Sequence, residues 1–375
     1  MPLVSDYLYR KASVKKIPLG AGFELSPVCN FGCRMCYVRK TPAQIAAEGK
    51  RLKHWTQWMK LAEECRKDGT LYILLTGGEP FLYPGFRELY LELHRMGFIL
   101  SINTNGTMID KRTLDWMEAA SPSRVNVTLY GASPETYRRI CGQPSGYEKA
   151  VKAILMLKEA GIPVVINASM IPENACDLEK IIAFGIENDI NTRVATYMFP
   201  PIRREKQEND SRFTPEKAGE MFLRKYRSKF GDACKDMLRE QLEEIQKGNE
   251  TGDSWGGDKE YMSCRAGRSS FWVSWDGRMT ACGMLPFPVE VYPFERPFHD
   301  CWMELTDKVR NTPVLEECSG CGKRKICNPC VAMLYAETGN INRRAPYLCE
   351  MADCIIQKMT EEVKAPAANC GISNL

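Results

Sequence analysis

Three cysteines fall within eight residues, Cys29-Asn30-Phe31-Gly32-Cys33-Arg34-Met35-Cys36, with Tyr37 following. A tetrahedral zinc site wants four ligands, and no histidine stands nearby to complete one. A closed four-iron cube also takes four thiolates. Three cysteines in one short loop can hold such a cube and leave one iron open to a substrate or cofactor. The competing readings are three unrelated buried thiols, or half of a zinc site. A second field of thiols occupies the last third of the chain: Cys264, Cys282, Cys318, Cys321, Cys327, Cys330, Cys349 and Cys354. Cys-x2-Cys spacing there fits zinc ribbons as well as clusters. Seventeen cysteines in 375 residues are too many for an ordinary reducing-compartment protein, and the chain is too long for a small disulfide scaffold. Metal ligation is the economical explanation. Cys65, Cys141, Cys176, Cys234, Cys301 and Cys370 are scattered, and a buried or idle thiol is the better reading for most of them.

Other polar clusters lie at the ends of apolar runs. Gly77-Gly78-Glu79-Pro80 follows the run at 71–76. Glycines let a ligand approach the backbone, and a carboxylate can accept from an ammonium. An ordinary strand-to-helix turn would look the same. Asn103-Thr104-Asn105-Gly106 ends the next run; its amides suit hydroxyls or a carboxylate, or simply cap a turn. Arg138 and Arg139 can each make a bidentate pair with a carboxylate, or be a solvated charge pair.

The elements that must carry these residues alternate. Strands are expected at 23–26, 71–76, 98–103, 125–129, 163–171 and 192–197. Helices are expected at 41–67, 84–96, 109–119, 133–159, 177–187 and 215–246. Ser133-Pro134 is a helix start, and Gly161 a helix end. Such alternation implies parallel strands with right-handed crossovers. Six units are fewer than the eight of a complete barrel, so the expectation is an α/β fold built on a partial (β/α)6 barrel. Ligands would bind at the carboxyl ends of the strands, where the cysteine loop falls. Trp275-Asp276-Gly277 between alternating runs reads as a hairpin turn. Residues 1–21 could add a strand or remain a tail. The Gly-, Asn-, Ser- and Asp-rich stretch at 248–257 is the expected boundary. Three segments result: 1–21, a core at 22–250, and a cysteine-rich module with its tail at 251–375.

The spacing Cys-x3-Cys-x2-Cys followed by Gly77-Gly78-Glu79-Pro80 resembles the radical S-adenosylmethionine (SAM) superfamily. The downstream cysteine field resembles the SPASM extension of that family. The resemblance covers about residues 22–355. It implies that Cys29, Cys33 and Cys36 hold a [4Fe–4S] cluster whose open iron chelates SAM. Reductive cleavage of SAM would yield a 5′-deoxyadenosyl radical that takes hydrogen from unactivated carbon. By the same resemblance Gly77, Gly78, Glu79 and Pro80 bind the SAM amino group. Asn103, Asn105 and Thr128 would present polar groups to the cofactor, Arg138 or Arg139 its carboxylate partner, and Met35 backbone to adenine. Many relatives carry Asp or Ser in place of Tyr130, suggesting a substrate-facing difference, and Arg in place of Cys141. Two auxiliary [4Fe–4S] clusters are implied. Cys318, Cys321, Cys327 and Cys349 would hold the outer one; Cys264, Cys282 and Cys330 the inner, with Cys301, Cys354 or nothing as its fourth ligand. The family pattern ends Cys-x3-Cys where this chain has Cys327-x2-Cys330, one residue shorter.

The expected activity is radical maturation of a peptide or protein, forming a thioether, a carbon–carbon crosslink or another oxidative change. A sulfatase maturase is second, because Gly283 stands where that group has a basic Asp. A small-molecule radical dehydrogenase and a zinc- or cluster-binding protein without turnover are further alternatives. Fewer than thirty residues precede Cys29, so a leader-binding domain is expected on a detached partner or replaced by the barrel itself. A low-potential electron donor such as flavodoxin or ferredoxin is implied. The net charge of +4 gives no sign of a nucleic-acid or membrane surface. No signal peptide and no long uncharged apolar run are visible, so a cytoplasmic location is expected. No residue stands out as the acid or base.

Overall fold

The computed structural model describes residues 4–200, 211–251 and 264–366. Six parallel strands follow one another in space as in sequence: β1 (Gly20–Glu24), β2 (Tyr72–Thr76), β3 (Ile99–Thr104), β4 (Arg124–Thr128), β5 (Val164–Ser169) and β6 (Thr192–Ala195). Helices fill each connection from β2 onward, as parallel pairing requires. This is the expected partial barrel. It stays open among the described residues, with β6 at one end of the sheet order and a late strand, Met279–Thr280, at the other.

Alternation along the strands separates two environments. Phe23, Ile73, Leu75, Leu100, Ile102, Val125, Val127 and Ile166 face the helices and are fully or almost fully buried. Burying each such side chain is worth about 1.5–3 kcal/mol. The alternate residues Leu74, Ser101, Asn103 and Asn167 are only half-buried, because they line an open lumen.

Four differences from the sequence reading have local causes. The helix expected over 41–67 is two, Pro42–Ala47 and Trp55–Lys67, with Gly49 at φ 66° following the first. Residues Val4–Val14 form a helix, not a strand or tail. The helix expected over 133–159 is two, Pro134–Cys141 and Gly146–Glu159. Gly142 at φ 72° ends the first, and Pro144 keeps its predecessor out of helical geometry. The segment 215–246 is likewise divided at Gly231, φ 50°, into Pro215–Phe230 and Cys234–Thr251.

The late hairpin, β7 (Ser270–Val273) and β8 (Met279–Thr280), is antiparallel as expected. It is not a separate sheet: β7 pairs parallel with β1, Gly22 opposite Trp272. The boundary expected at 248–257 falls largely outside the described residues, as does Cys370.

Candidate metal centre

The cysteine loop leaves the carboxyl end of β1 and is clamped against the turn after β2. Gly78 N donates to Ser26 O at 2.7 Å, and Glu79 N to Val28 O at 2.9 Å. A Cβ on Gly77 would stand 2.4 Å from Ser26 O, and one on Gly78 2.3 Å from Val28 O. The two glycines are therefore required by the close approach of the cysteine loop's own backbone. From the other side, Gly32 N donates to Cys141 O at 2.9 Å and Arg34 N to Ile140 O at 3.2 Å. Strand end and helix end thus hold the loop between them.

Cys29, Cys33 and Cys36 are brought together. Phe31 N points at Cys29 Sγ (3.4 Å), Arg39 N at Cys36 Sγ (3.3 Å), and Asn105 Nδ2 reaches Cys29 Sγ at 3.8 Å. Burial pushes the Cys29 thiol up to about 12, and the charges of Glu79, Cys33 and Cys36 add to it. Mutually repelling thiolates with N–H donors aimed at sulfur are a donor set that a cationic iron–sulfur cluster relieves. Among the described residues no three His, Cys, Asp or Glu side chains converge on one point as for a single metal ion.

The neighbours of Cys33 were not legible in the sequence. A hydrogen bond from the Cys141 thiol, helped by the Tyr130 hydroxyl, holds Cys33 below its ordinary value against the burial that would raise it. Tyr130 packs edge-on against Phe31 and Tyr137, each 6.0 Å between centroids. It therefore faces the cysteine loop, where the sequence reading had it facing substrate. Only its departure from the family pattern, and that of Cys141, marked the pair.

Glu79 is fully buried, and three donors occupy its carboxylate. Oε1 accepts from Phe81 N (3.2 Å) and Thr104 Oγ1 (2.7 Å), Oε2 from Asn105 N (2.8 Å). Burial nevertheless raises it to about 7. The side chain ties the β2 turn to the β3 turn. Pro80 opens the short helix it caps. Asn105 braces the loop, donating to Asn30 Oδ1 at 2.8 Å. Asn103 faces the lumen, its Oδ1 accepting from Asn126 Nδ2 at 2.7 Å. Thr128 ends β4, half-buried, and Met35 packs on the core. Arg138 is exposed and paired with Glu135, while Arg139 donates twice to Glu173 O, at 2.6 and 3.0 Å. Both guanidiniums are engaged outside the cysteine loop.

The downstream thiols fall into two groups. Burial raises Cys327 to about 12, and the thiolates of Cys318, Cys349 and Cys321 add to it. Cys282 is raised by burial and then by Cys330 and Cys264. Met284 N points at Cys282 Sγ (3.5 Å), Met333 N at Cys330 Sγ (3.4 Å), and Arg344 Nε at Cys349 Sγ (3.1 Å). Cys301 and Cys354 join neither group. Cys301 is buried in helix Phe298–Arg310. Cys354 lies against Gly219, where helix Pro346–Lys364 crosses Pro215–Phe230.

Residues 23–185 match the family model described as the radical SAM superfamily. Residues 23–185 are thus a radical SAM domain. That family implies a [4Fe–4S] cluster and SAM binding. The chain is similar to the AdoMet-dependent heme synthase of Methanosarcina barkeri, 25% identical over 338 residues, 87% of this chain and 94% of that one. It is 29% identical to the PqqA peptide cyclase of Ruegeria pomeroyi over 170 residues, 45% of this chain and 44% of the other. Among solved structures, Streptococcus suis SuiB bound to precursor peptide SuiA superposes with a TM-score of 0.66 at 18% identity, covering 92% of this chain and 80% of SuiB. That likeness concerns the radical SAM fold. No described helix is long and apolar enough to cross a membrane.

Proposed function

We propose that this chain is a radical SAM enzyme that abstracts hydrogen from a peptide or protein substrate during its maturation. One observation carries the proposal: a three-cysteine loop pinned to the Gly77–Gly78 turn at the open end of a radical SAM barrel. When bound, the cluster and SAM would supply an electron and a carbon-centred radical, chemistry no side chain performs alone. The chain's own contribution is to orient and enclose. Cys29, Cys33 and Cys36 hold the cluster, and backbone N–H groups and the Cys141 thiol steady its sulfurs. The half-open lumen admits an extended segment beside it.

A peptide substrate is supported by the relatives named as a peptide cyclase, as the sporulation killing factor maturation protein and as a subtilosin biosynthesis protein. Cys318, Cys321, Cys327 and Cys349 are assigned to an outer auxiliary cluster, and Cys264, Cys282 and Cys330 to an inner one with an open iron. A flavodoxin or ferredoxin would supply the electron, a detached partner or the barrel would hold any leader, and the site of action would be the cytoplasm.

A second reading has its own observation. The heme-synthase relatives match over 86–94% of their length, whereas the peptide cyclases match over less than half. That favours a tetrapyrrole substrate. Incubating reduced enzyme and SAM with neighbouring-gene peptides and with porphyrin carboxylates, and reading both by mass spectrometry, separates the two. Loss of two hydrogens from a peptide is the expected outcome. Turnover of the porphyrin, with every peptide untouched, overturns it.

A further inference from the structure

A cavity of about 780 Å³ runs through the barrel lumen to the hairpin. Arg124 on β4, Arg193 on β6 and Arg265 before β7 all line it, and among the described residues no carboxylate does. Arg265 is paired with Asp6 at 2.6 Å and stacks over Tyr9. Arg124 and Arg193 have no such partner among the described residues. The Arg124 Nε is cut off from solvent and makes no hydrogen bond. Burial, and then the like charge of Arg193, pull the Arg124 guanidinium below its ordinary value. Two guanidiniums lining one lumen without a counter-ion are an unfavourable arrangement that a bound anion relieves.

Asn126 supplies a second, independent mark. It is 4% exposed and lines the same cavity. Its Nδ2 is used on Asn103, and its Oδ1 has no hydrogen-bond partner. A buried acceptor left unpaired costs about 1–3 kcal/mol. A simple anion satisfies the arginines but not Asn126. The site asks for a ligand offering a carboxylate and an N–H within a few ångströms of each other. Cys282, assigned above to the inner cysteine group, lines the same cavity.

We infer that the lumen binds an acidic residue of the substrate peptide, its side-chain carboxylate on Arg124 and Arg193 and a backbone N–H on Asn126. The inference rests on the peptide reading above. Arginine forks match a carboxylate bidentately, and Asn126 reads the main chain. Side chain and backbone together set where along the peptide the reaction falls.

The test is calorimetric titration of the cluster-reconstituted full chain with a Gly-Ser peptide carrying two glutamates and with its glutamine counterpart. Protoporphyrin IX, with two propionates, and its dimethyl ester form the second arm. The expected result is at least about tenfold tighter binding of the glutamate peptide, as for a charge-assisted hydrogen bond. Arg124→Gln should erase that preference, and Arg124→Lys should keep part of it. Arg193→Gln, at an exposed position, gives the same reading should Arg124→Gln fail to fold. Equal binding of both peptides overturns the inference. So does an arginine-dependent preference for the porphyrin acid over its ester without any peptide preference. SAM cleavage by the wild-type chain is measured alongside. A wild type that binds the acidic peptide but cleaves no SAM defeats the proposed function alone, whereas cleavage without peptide preference defeats only this inference.

Discussion

Trp272 lies flat against Gly22: a Cβ on that glycine would stand 2.3 Å from the indole Cε3. The two residues are register partners across β1 and β7. On its other edge the indole meets Gly283, where a Cβ would stand 2.8 Å from Cε2. Its Nε1 donates to Glu24 at 3.3 Å. A large aromatic is thus seated between two glycines and forms one wall of the lumen. Gly22→Ala should destabilise the fold by about 1–3 kcal/mol, the usual cost of overpacking. Urea unfolding measures it. A loss under about 0.5 kcal/mol would mean the indole swings away freely. The same contact gives a steric reason for Gly283, since any side chain there meets Trp272.

Glu79→Gln should loosen the cysteine loop. The replacement amide keeps one acceptor oxygen but sets an NH2 at the other position, facing either Asn105 N or the pair Phe81 N and Thr104 Oγ1. Facing donors cost about 1–3 kcal/mol when buried. Unfolding free energy should fall by that amount, and reconstituted iron should bind less tightly. Unchanged stability with SAM affinity down about tenfold would instead assign the carboxylate to the cofactor's ammonium.

Cys141→Ala removes a hydrogen bond to Cys33, and Tyr130→Phe removes a second. Donors to a cluster sulfur stabilise the more negative, reduced state. Both variants should therefore have a more negative reduction potential, read by an EPR-monitored redox titration. A potential unmoved in both, with the cluster present, would show that neither group donates to it.

Iron content separates the thiols. Three cubes require about twelve irons per chain. Cys318→Ala or Cys264→Ala should each remove about four, whereas Cys301→Ala and Cys354→Ala should remove none, since neither thiol joins a group. Zinc with about four irons in the wild type would leave only the first cluster standing.

Asp276 links the hairpin turn to the segment after the cysteine loop. Its side chain is 3% exposed; Lys50 Nζ approaches to 2.8 Å and Arg278 Nε to 3.0 Å. Burial would raise the carboxyl, but Lys50, Ser274 and Arg278 together outweigh it and hold it at about 2. An unfolded aspartate titrates near ~3.9, so the folded form is the stronger acid. Its stabilisation is present above about pH 4 and is lost as pH falls towards about 2. With Lys50 half exposed, about 1–2 kcal/mol is at stake. Asp276→Asn should be less stable than wild type at pH 7, and the gap should narrow through about pH 3 and close towards about pH 2. A gap independent of pH would assign the loss to packing.

The cysteine spacing, the Gly77-Gly78-Glu79-Pro80 turn and the six-fold alternation of apolar and helical runs were legible in the chain alone. Ligand spacing within one loop and burial along one strand are local properties, and they survive folding unchanged. The split at Gly142 was missed although Gly142 and Pro144, a helix end and a break, stand there. Only the tertiary structure put Cys141 beside Cys33, Trp272 between Gly22 and Gly283, and Cys354 in a helix crossing away from both downstream groups. It also turned Arg124, Asn126 and Arg193 into one lumen. Each of these juxtapositions depends on strand register and on which edge of β1 the late hairpin pairs with. A one-residue slip would turn every lumen side chain to the opposite face, and no spacing along the chain encodes that choice.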